Sequence, residues 1–395
     1  MFGLLPALCL LQASNRDFRP DFDELINEAQ RYGAYVRADG VDFAAIREAY
    51  RPKFERVADK DALLDLLEHV VGELHDFHAM LGTNNGKSPR VVPSGTDLYA
   101  RWVGDEVLLD QIRQDSLAER AGLIAGDRVL SINGMPPRSA AKLWIGANPP
   151  NRRAWDWALN SALAGRWNQD REITVLHDGK TRTVRLKTAE SPRPKSRLTA
   201  RHLVGGLLYL RPENSLGDNA LIADFDRMLL ELQKARGVVL DLRNTPSGGN
   251  SSVARGIMGL FISQKLPFQR HVIDERDTNT IRDWVEYATP RASKPVKTKL
   301  IILVGRWTGS MGEGIAIGLD AMHRGIVIGT RMAGLRGAVD SFTLPLSGYN
   351  VFFPTEQIFH INGTPRHEWI PPIVVTPSTD DVWMKAALKY LAIRS

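Results

Sequence analysis

The sequence predicts a multidomain α+β and α/β protein built from a helical domain, a β-rich domain and a mostly parallel α/β core. Three patterns carry this prediction. Apolar residues recur every three or four positions before residue 88, short β-rich runs alternate with turns from about residue 90, and apolar strands alternate with amphipathic helices after residue 198. We expect the domains at 15–88, 90–190 and 198–395, with a Pro, Ser and basic linker at 190–197.

The composition excludes several protein classes. The 395-residue chain is 43% hydrophobic and 24% charged, which is ordinary for a globular protein and unlike disordered or fibrous chains. Lys and Arg outnumber Asp and Glu by 51 to 45 and are scattered along the chain, so we expect no nucleic-acid partner. After the N-terminus no stretch approaches the roughly 18 apolar residues of a membrane span, so we expect no integral span.

The first fourteen residues, MFGLLPALCLLQAS, form a short apolar run followed by Asn15, Arg16 and Asp17. This pattern is typical of the apolar part of a signal peptide, although the basic start is missing. We therefore expect a signal peptide at 1–14 and an exported, periplasmic or secreted protein. A buried N-terminal segment of a cytoplasmic protein has the same pattern. The single cysteine, Cys9, lies in this run, so no intrachain disulfide or thiolate zinc site is expected.

Each domain has its own pattern. In the first, Leu25, Ile26 and Ala29 and later leucines mark helices, the last of which runs into ELHDFHAML with His75 and His78 at its end. In the second, the runs DEVLLDQI, DRVLSING, REITVLHDG and TRTVRLK read as strands, with a brief helix at SLAERAG. In the third, strands such as GVVLDLR and KLIILVG are apolar throughout, which indicates a parallel sheet covered on both faces.

Two strand ends in the third domain carry the candidate chemistry, because ligands gather at the carboxyl ends of parallel strands. In DLRNTPSGGN, Gly248 and Gly249 allow a sharp turn that aims N–H groups at an anion, although a plain glycine turn has the same sequence. In ILVGRWTGSMGEGIAIGL, Ser310 stands between a strand and a helix, as in a nucleophile elbow, or else serves as a helix N-cap. The Met311 amide and the helix dipole could stabilise an oxyanion there.

Three motifs in order resemble the C-terminal-processing, or tail-specific, serine peptidase family. SLAERAGLIAGDRVLSINGMP is similar to a PDZ domain, DLRNTPSGG resembles the D-L-R-x-N-x-G-G stretch, and TGSMGEG resembles the T-x-S-x-x-E nucleophile motif. The likeness runs from about His78 to Pro377. It implies a PDZ-like second domain and a crotonase-like peptidase core.

One branch of that family activates its serine with a lysine in a run like F-G-K-G. The corresponding run here is GTRMAGLRGAV, with Leu335 or Arg336 at that position, and arginine is too basic to accept a proton near neutral pH. The chain is more similar to the tricorn-core branch, which uses histidine and glutamate. HDFH resembles the segment that supplies the histidine, His78, and TPRHEWIPPIVVTP the segment that supplies Glu368.

The resemblance therefore implies a serine endopeptidase with the catalytic residues Ser310, His78 and Glu368. The oxyanion hole is expected at Met311 with Gly248 or Gly249. A polypeptide substrate is implied, and neither a cofactor nor a metal. Other residues compete for these roles, namely His75 for the histidine and Glu313 and Glu356 for the glutamate. We expect His360 and His367 to be structural or surface groups, and Trp307 and Trp369 to lie in the core.

Three questions stay open at this level. The PDZ-like domain could bind a substrate C-terminus along a strand edge or could only gate the site. The chain could instead be a catalytically silent binding protein for a peptide or an apolar ligand, which would need an apolar cavity of some hundreds of cubic ångströms. A hydrolase of a non-peptide ester would use the same triad.

Overall fold

The structure is a computed structural model that describes residues 16–188, 196–378 and 381–392. The predicted signal peptide at 1–14 and most of the predicted linker at 190–197 lie outside these residues. Within the described ranges, no helix has both the length and the apolar character needed to cross a membrane.

The N-terminal region is helical, as predicted. It contains the helices α1 Arg19–Tyr32, α2 Phe43–Tyr50 and α3 Lys60–Gly72, followed by the short strand β1 Met80–Leu81. Asp42 and Asp59 are the N-caps of α2 and α3, because each carboxylate accepts a hydrogen bond from the backbone N–H three residues later in the chain. The helices do not form a core of their own, because their apolar faces pack against Leu344, Val351 and Phe353 from the C-terminal region.

The second region is an antiparallel sheet with the strand order β2-β3-β4-β5-β6 and with helices against it. Its elements are β2 Leu98–Val103, β3 Glu106–Ile112, α4 Leu117–Arg120, β4 Arg128–Ile132, α5 Pro137–Lys142, α6 Arg152–Ala164, β5 Arg171–His177 and β6 Lys180–Leu186. The short helix predicted at SLAERAG is α4, capped by Ser116. Helix α6, the longest helix of this region, was not predicted from the sequence.

Helix α6 covers the outer edge of β2. This strand pairs only with β3 among the described strands, which leaves its other edge without a strand partner. The side chain of Asn160 fills that place at Ala100, since its Oδ1 accepts from the Ala100 N–H at 2.8 Å and its Nδ2 donates to the Ala100 carbonyl at 3.1 Å. Trp102 also donates its indole N–H to the carbonyl of Trp155 on α6, at 3.2 Å. The edge is therefore closed by a helix.

The C-terminal region holds the parallel sheet that the sequence predicts. Its elements are β7 Leu198–Leu203, β8 Leu207–Pro212, α7 Ala220–Arg227, α8 Leu229–Lys234, β9 Gly237–Asp241, α9 Ser251–Met258, β10 Leu266–Glu275, β11 Thr280–Ala288, β12 Lys299–Val304, α10 Met311–Ala321, β13 Ile326–Gly329, β14 Ala338–Thr343, β15 Asn350–Phe359, β16 Ile373–Val374 and α11 Val382–Ala392. The sheet order is β16-β13-β12-β9-β8-β7, parallel except for the β7–β8 hairpin.

Both faces of this sheet are covered, as the apolar strands predict. Helices α7, α9 and α10 pack over one face, and Trp383, Ala387 and Leu391 of α11 pack over the other. A second, antiparallel sheet of β1, β15, β10, β11 and β14 was not predicted. It lies beside α10, because Phe268 at the start of β10 contacts the helix at Gly318. Helix α10, which follows β12, thus packs between the two sheets.

We predict that Asn160→Ala lowers the free energy of unfolding by about 2 to 3 kcal/mol, because it leaves the buried N–H and carbonyl of Ala100 without partners. Urea denaturation measures this. Asn84→Ala, at an exposed asparagine, is the control and should change the value by less than about 0.5 kcal/mol. Equal stability of the two variants would show that the amide does not hold α6 against β2.

Candidate active site

The two strand ends singled out in the sequence lie side by side. Thr245 after β9 and Thr308 after β12 form a parallel bridge, and both hydroxyls donate to the carbonyl of Leu242, at 2.8 and 3.0 Å. The Gly309 N–H donates to the carbonyl of Thr245 at 3.2 Å. These hydrogen bonds hold the turn before α10 against the turn after β9, so the positions of the two loops are fixed relative to each other.

Ser310 begins α10 with a backbone that non-glycine residues rarely adopt, at φ 49° and ψ −112°. Such strain is typical of a serine held on a sharp strand-to-helix turn. The turn has no room for a side chain at Gly309, where a Cβ would stand 2.5 Å from the carbonyl oxygen of Pro246. Ser310 is also the N-cap of α10, so the two interpretations left open by the sequence describe one arrangement.

Gly248 faces this serine directly. A Cβ at Gly248 would stand 2.9 Å from the Ser310 Oγ and 3.0 Å from the Met311 nitrogen, and its φ of +64° also favours glycine. The Gly248 N–H, however, donates to the carbonyl of Thr245 at 3.1 Å, so it is occupied within its own turn. Among the described residues, the N–H groups of Gly249 and Met311 have no hydrogen-bond partner. Met311 directly follows the serine and Gly249 follows the glycine that faces it, so these two amides are the candidate oxyanion donors.

Glu313, three residues after Ser310, is fully buried beneath the turn. Its carboxylate accepts hydrogen bonds from the N–H groups of Ser310 at 2.8 Å, Gly334 at 2.9 Å and Leu335 at 3.2 Å. Burial raises the pKa of Glu313 to about 7, against the nearby Arg366 and these three donors, which favour the ionised form. Glu313 therefore positions the serine turn and the segment 334–335 and does not face the histidine.

His78 lies on the other side of that segment and is buried. Its Nδ1 donates to the Arg336 carbonyl at 2.7 Å, and its backbone N–H donates to Asp76 at 2.9 Å. Burial lowers the pKa of His78 to about 4, so the ring is neutral at pH 7. Within the described residues no hydrogen bond joins His78 to Ser310. His78 is bonded to the segment 334–336 directly and Ser310 is bonded to it through Glu313, but the two residues are not bonded to each other.

The position that a lysine would occupy in the other branch holds two residues with different roles. Leu335 is buried and approaches within 3.2 Å of the Cβ position of Gly309, beside the serine. Arg336 points away from the serine turn, pairs with Asp39 and lies 3.6 Å from Asp76, and stacks over the ring of Tyr35. Neither residue offers a base to Ser310.

The structure does not bring Glu368 to His78. Its side chain is 64% exposed, and one of its carboxylate oxygens lies 3.7 Å from the Nε2 of the neighbouring His367. The Nδ1 of His78, where an orienting carboxylate would bind, is occupied by the Arg336 carbonyl. The sequence could not have indicated this partner, because a backbone carbonyl carries no residue identity.

The competing residues also have places in the structure. Glu356 binds the Nδ1 of His271 at 2.8 Å, in the antiparallel sheet. His75 packs against Trp157, with ring centroids 5.2 Å apart, and its carbonyl accepts from Arg153 at 2.6 Å. The residues expected to be structural are mostly buried, namely Trp307, Trp369, His360 and His367. In the described part of the chain, no group of three or more His, Cys, Asp and Glu side chains could hold a metal ion.

Comparison with known proteins matches two of these regions to families. Residues 214–376 match the profile of peptidase family S41, and residues 109–143 match that of the PDZ domain. The chain is 24% identical over 333 residues to tricorn protease homolog 1 of Streptomyces coelicolor, covering 78% of this chain and 28% of that protein. It is 24% identical over 318 residues to the chloroplastic C-terminal processing peptidase of Tetradesmus obliquus, covering 75% and 64%.

The fold is also similar to solved structures. The photosystem II D1 C-terminal processing protease superposes with a TM-score of 0.58 at 19% identity, covering 94% of this chain and 97% of that one. This likeness bears on the fold alone. The chain spans less than two thirds of the length of each of the two curated relatives.

Three buried histidines near the site predict a pH dependence of stability. Burial lowers the pKa of His75 and His78 to about 4 and that of His367 to about 3. The unfolded chain binds protons at these groups below about pH 6.5 and the folded chain does not, so stability is full above that pH and is lost as the pH falls towards 4.

We predict that His75→Asn, which suits the positive φ of 46° at this position, makes that loss smaller. Between pH 8 and pH 5 the free energy of unfolding should fall by about 2 kcal/mol less in the variant than in the wild type, which is the share of one histidine. Urea denaturation at both pH values measures this, and the pH 8 value of the variant serves as its own reference. An equal fall in both proteins would contradict the prediction.

Proposed function

The chain belongs to peptidase family S41 and carries a PDZ domain, and from this premise we propose that it is a serine peptidase that cleaves polypeptides by acyl transfer. Ser310 is the nucleophile and His78 the base. The observation that carries the proposal is the strained Ser310 at the start of α10, which faces Gly248 with the unoccupied N–H of Met311 beside it.

The chemistry follows from these positions. The Ser310 Oγ attacks the substrate carbonyl carbon while His78 takes the hydroxyl proton, and the carbonyl electrons move to oxygen as an oxyanion. The amide N–H groups of Met311 and Gly249 stabilise that oxyanion, each worth about 3 kcal/mol of the barrier by analogy with measured cases. The C–N bond then breaks, the amine leaves with the proton from His78, and water releases the acyl group by the same steps in reverse.

We propose that the Arg336 carbonyl, and not Glu368, orients His78. A carbonyl that accepts from Nδ1–H fixes the tautomer with an unprotonated Nε2, which is the form a base needs. Formation of the Ser310–His78 hydrogen bond requires a movement of the His78 segment, since the two are not bonded in this structure. Catalytic hydrogen bonds commonly tighten only when substrate is present.

The PDZ domain is proposed to control the site and not to take a free C-terminus along β2 as it stands. Strand addition needs free N–H and carbonyl groups on the edge, and Asn160 occupies those of Ala100. A peptide could pair with β2 only after α6 moves.

Export stays a prediction from the apolar run at 1–14, which N-terminal sequencing of the purified protein tests.

We predict that a fluorophosphonate probe labels Ser310 and that mass spectrometry finds the adduct on the peptide containing it. Ser310→Ala should abolish labelling, and His78→Ala should slow it at least 100-fold because the proton acceptor is lost. Glu368→Gln is the matched test of the third position and should stay within about threefold of wild type, because its carboxylate is exposed. No labelling of folded wild-type protein would overturn the proposed function, and a 100-fold loss in Glu368→Gln would restore Glu368 as the orienting group.

The pH dependence of the rate tests the base. Because the pKa of His78 is about 4, the ring stays unprotonated down to about pH 5, and the second-order rate constant of fluorophosphonate labelling should be flat between pH 8 and 5 and fall only below that. Initial rates of probe labelling across this range measure it. A fall centred near pH 6.5 would mean that the base is a histidine exposed to solvent and not the buried His78.

A further inference from the structure

A cavity of about 510 Å³ lies between the N-terminal helices and the PDZ domain. One wall is the end of α3 with the segment leading to His78, and the other is α5, α6 and the connection between them. Neither Ser310 nor His78 lines it. Apolar and aromatic side chains dominate its surface, among them Val71, Phe77, Met135, Leu143, Trp144 and Trp157.

The acidic groups in the wall are already engaged. The Glu73 carboxylate accepts from the backbone N–H groups of Ala147 and Asn148, each at 2.7 Å. The Asp76 carboxylate accepts from the His78 N–H and lies 3.6 Å from Arg336. Glu68, the third acidic side chain of the wall, interacts with the side chain of Ser88, so all three have partners within the protein.

The arginines of the wall are engaged as well. Arg166 donates to the carbonyl of Lys87 at 2.7 Å. The guanidinium of Arg90 lies over the ring of Trp167, which does not line the cavity. The Arg90 Nε also donates to the Arg166 carbonyl at 3.2 Å, and Arg166 lies 3.6 Å from Asp65, so a charged ligand would have to displace these contacts to gain a partner, which is costly. The wall thus favours an uncharged ligand, and a free chain terminus with its carboxylate does not fit.

We propose that this cavity binds an uncharged apolar small molecule, and that its occupancy controls the peptidase site through Phe77. The volume lies in the range of small-molecule pockets, and Trp144 and Trp157 supply aromatic faces. The binding site stands independently of the proposed function, whereas the control of the rate rests on it.

Phe77 connects the cavity to both catalytic residues. It directly precedes His78 in the chain, and its ring packs near Trp157 at 6.4 Å and Tyr99 at 6.5 Å between centroids. It also packs against the buried cluster that contains Trp307, three residues before Ser310. An occupant that presses on Phe77 therefore changes the position of His78 relative to the serine turn, and the missing Ser310–His78 hydrogen bond depends on that position.

The first experiment is a fluorescence titration of the full chain with N-phenyl-1-naphthylamine, an uncharged apolar probe. We expect one saturable site. The related probe 1-anilinonaphthalene-8-sulfonate, which adds a sulfonate to similar rings, should bind at least tenfold more weakly. Equal binding of both probes, or no saturable binding of the uncharged one, would overturn the proposed site.

Two exposed apolar residues give a matched pair of variants. Leu143 lines the cavity and is 70% exposed, whereas Val204 is 97% exposed and lies elsewhere. Leu143→Glu should weaken the uncharged probe at least tenfold, because it places a charge at the mouth, and Val204→Glu should leave Kd within twofold. Ala162→Phe, which fills the cavity from α6, should also abolish binding. Unchanged Kd values in Leu143→Glu and Ala162→Phe would overturn the assignment.

The second experiment measures fluorophosphonate labelling of Ser310 with and without saturating uncharged probe. We expect the rate to change at least threefold in the wild type and not in Ala162→Phe. Ser310→Ala should bind the probe with wild-type Kd, which separates the two proposals. Saturable binding without a change in rate would overturn the control through Phe77. No labelling of the wild type in the absence of the uncharged probe would overturn the proposed function and leave the binding site in place.

Discussion

The buried carboxylate of Glu313 is the contact on which the site depends. It accepts three backbone N–H groups, one from the serine turn and two from the segment 334–335. The chain continues from there to residue 337, and its carbonyls are also bonded. That of Arg336 accepts from His78, and those of Leu335 and Gly337 accept from Arg366. Burying a carboxylate is costly unless its hydrogen-bonding capacity is filled, and here backbone donors fill it. The positions of Ser310 and His78 are thus both defined relative to one side chain.

A second set of charges joins the three regions around the histidine segment. Asp39 and Asp76 of the N-terminal region meet Arg153 of the PDZ domain and Arg336 of the peptidase core. Removing one member of such a buried set leaves an uncompensated charge, so the set specifies geometry more than it adds stability. The helical region also shares its apolar core with Leu344, Val351 and Phe353, so the region that carries His78 is packed against the C-terminal region that carries Ser310.

The features that could be predicted from the sequence are those that a local pattern of residues determines. The apolar strands β9 and β12 are buried on both faces, and the small residues around Ser310 permit only a tight strand-to-helix turn, so the parallel sheet and the nucleophile turn were both predictable. Helix α6 was missed because its Arg, Trp, Asn and Ser residues interrupt the apolar spacing, and β10 and β11 because one of their faces is exposed and charged. The orientation of His78 by the Arg336 carbonyl, the internal bond of the Gly248 N–H and the exposure of Glu368 are tertiary features. They depend on which backbone groups meet, and residue identity does not reveal that.

The closure of β2 by α6 has a consequence for self-association. A strand edge without a partner is a template on which a second chain can add, and proteins protect such edges by covering them. Here the cover is one helix held at the edge by Asn160 and Trp155. Detachment of α6 would expose the β2 edge together with the apolar residues Leu98 and Ala100. Association through this edge therefore requires a local opening of α6 and does not require the peptidase core to unfold.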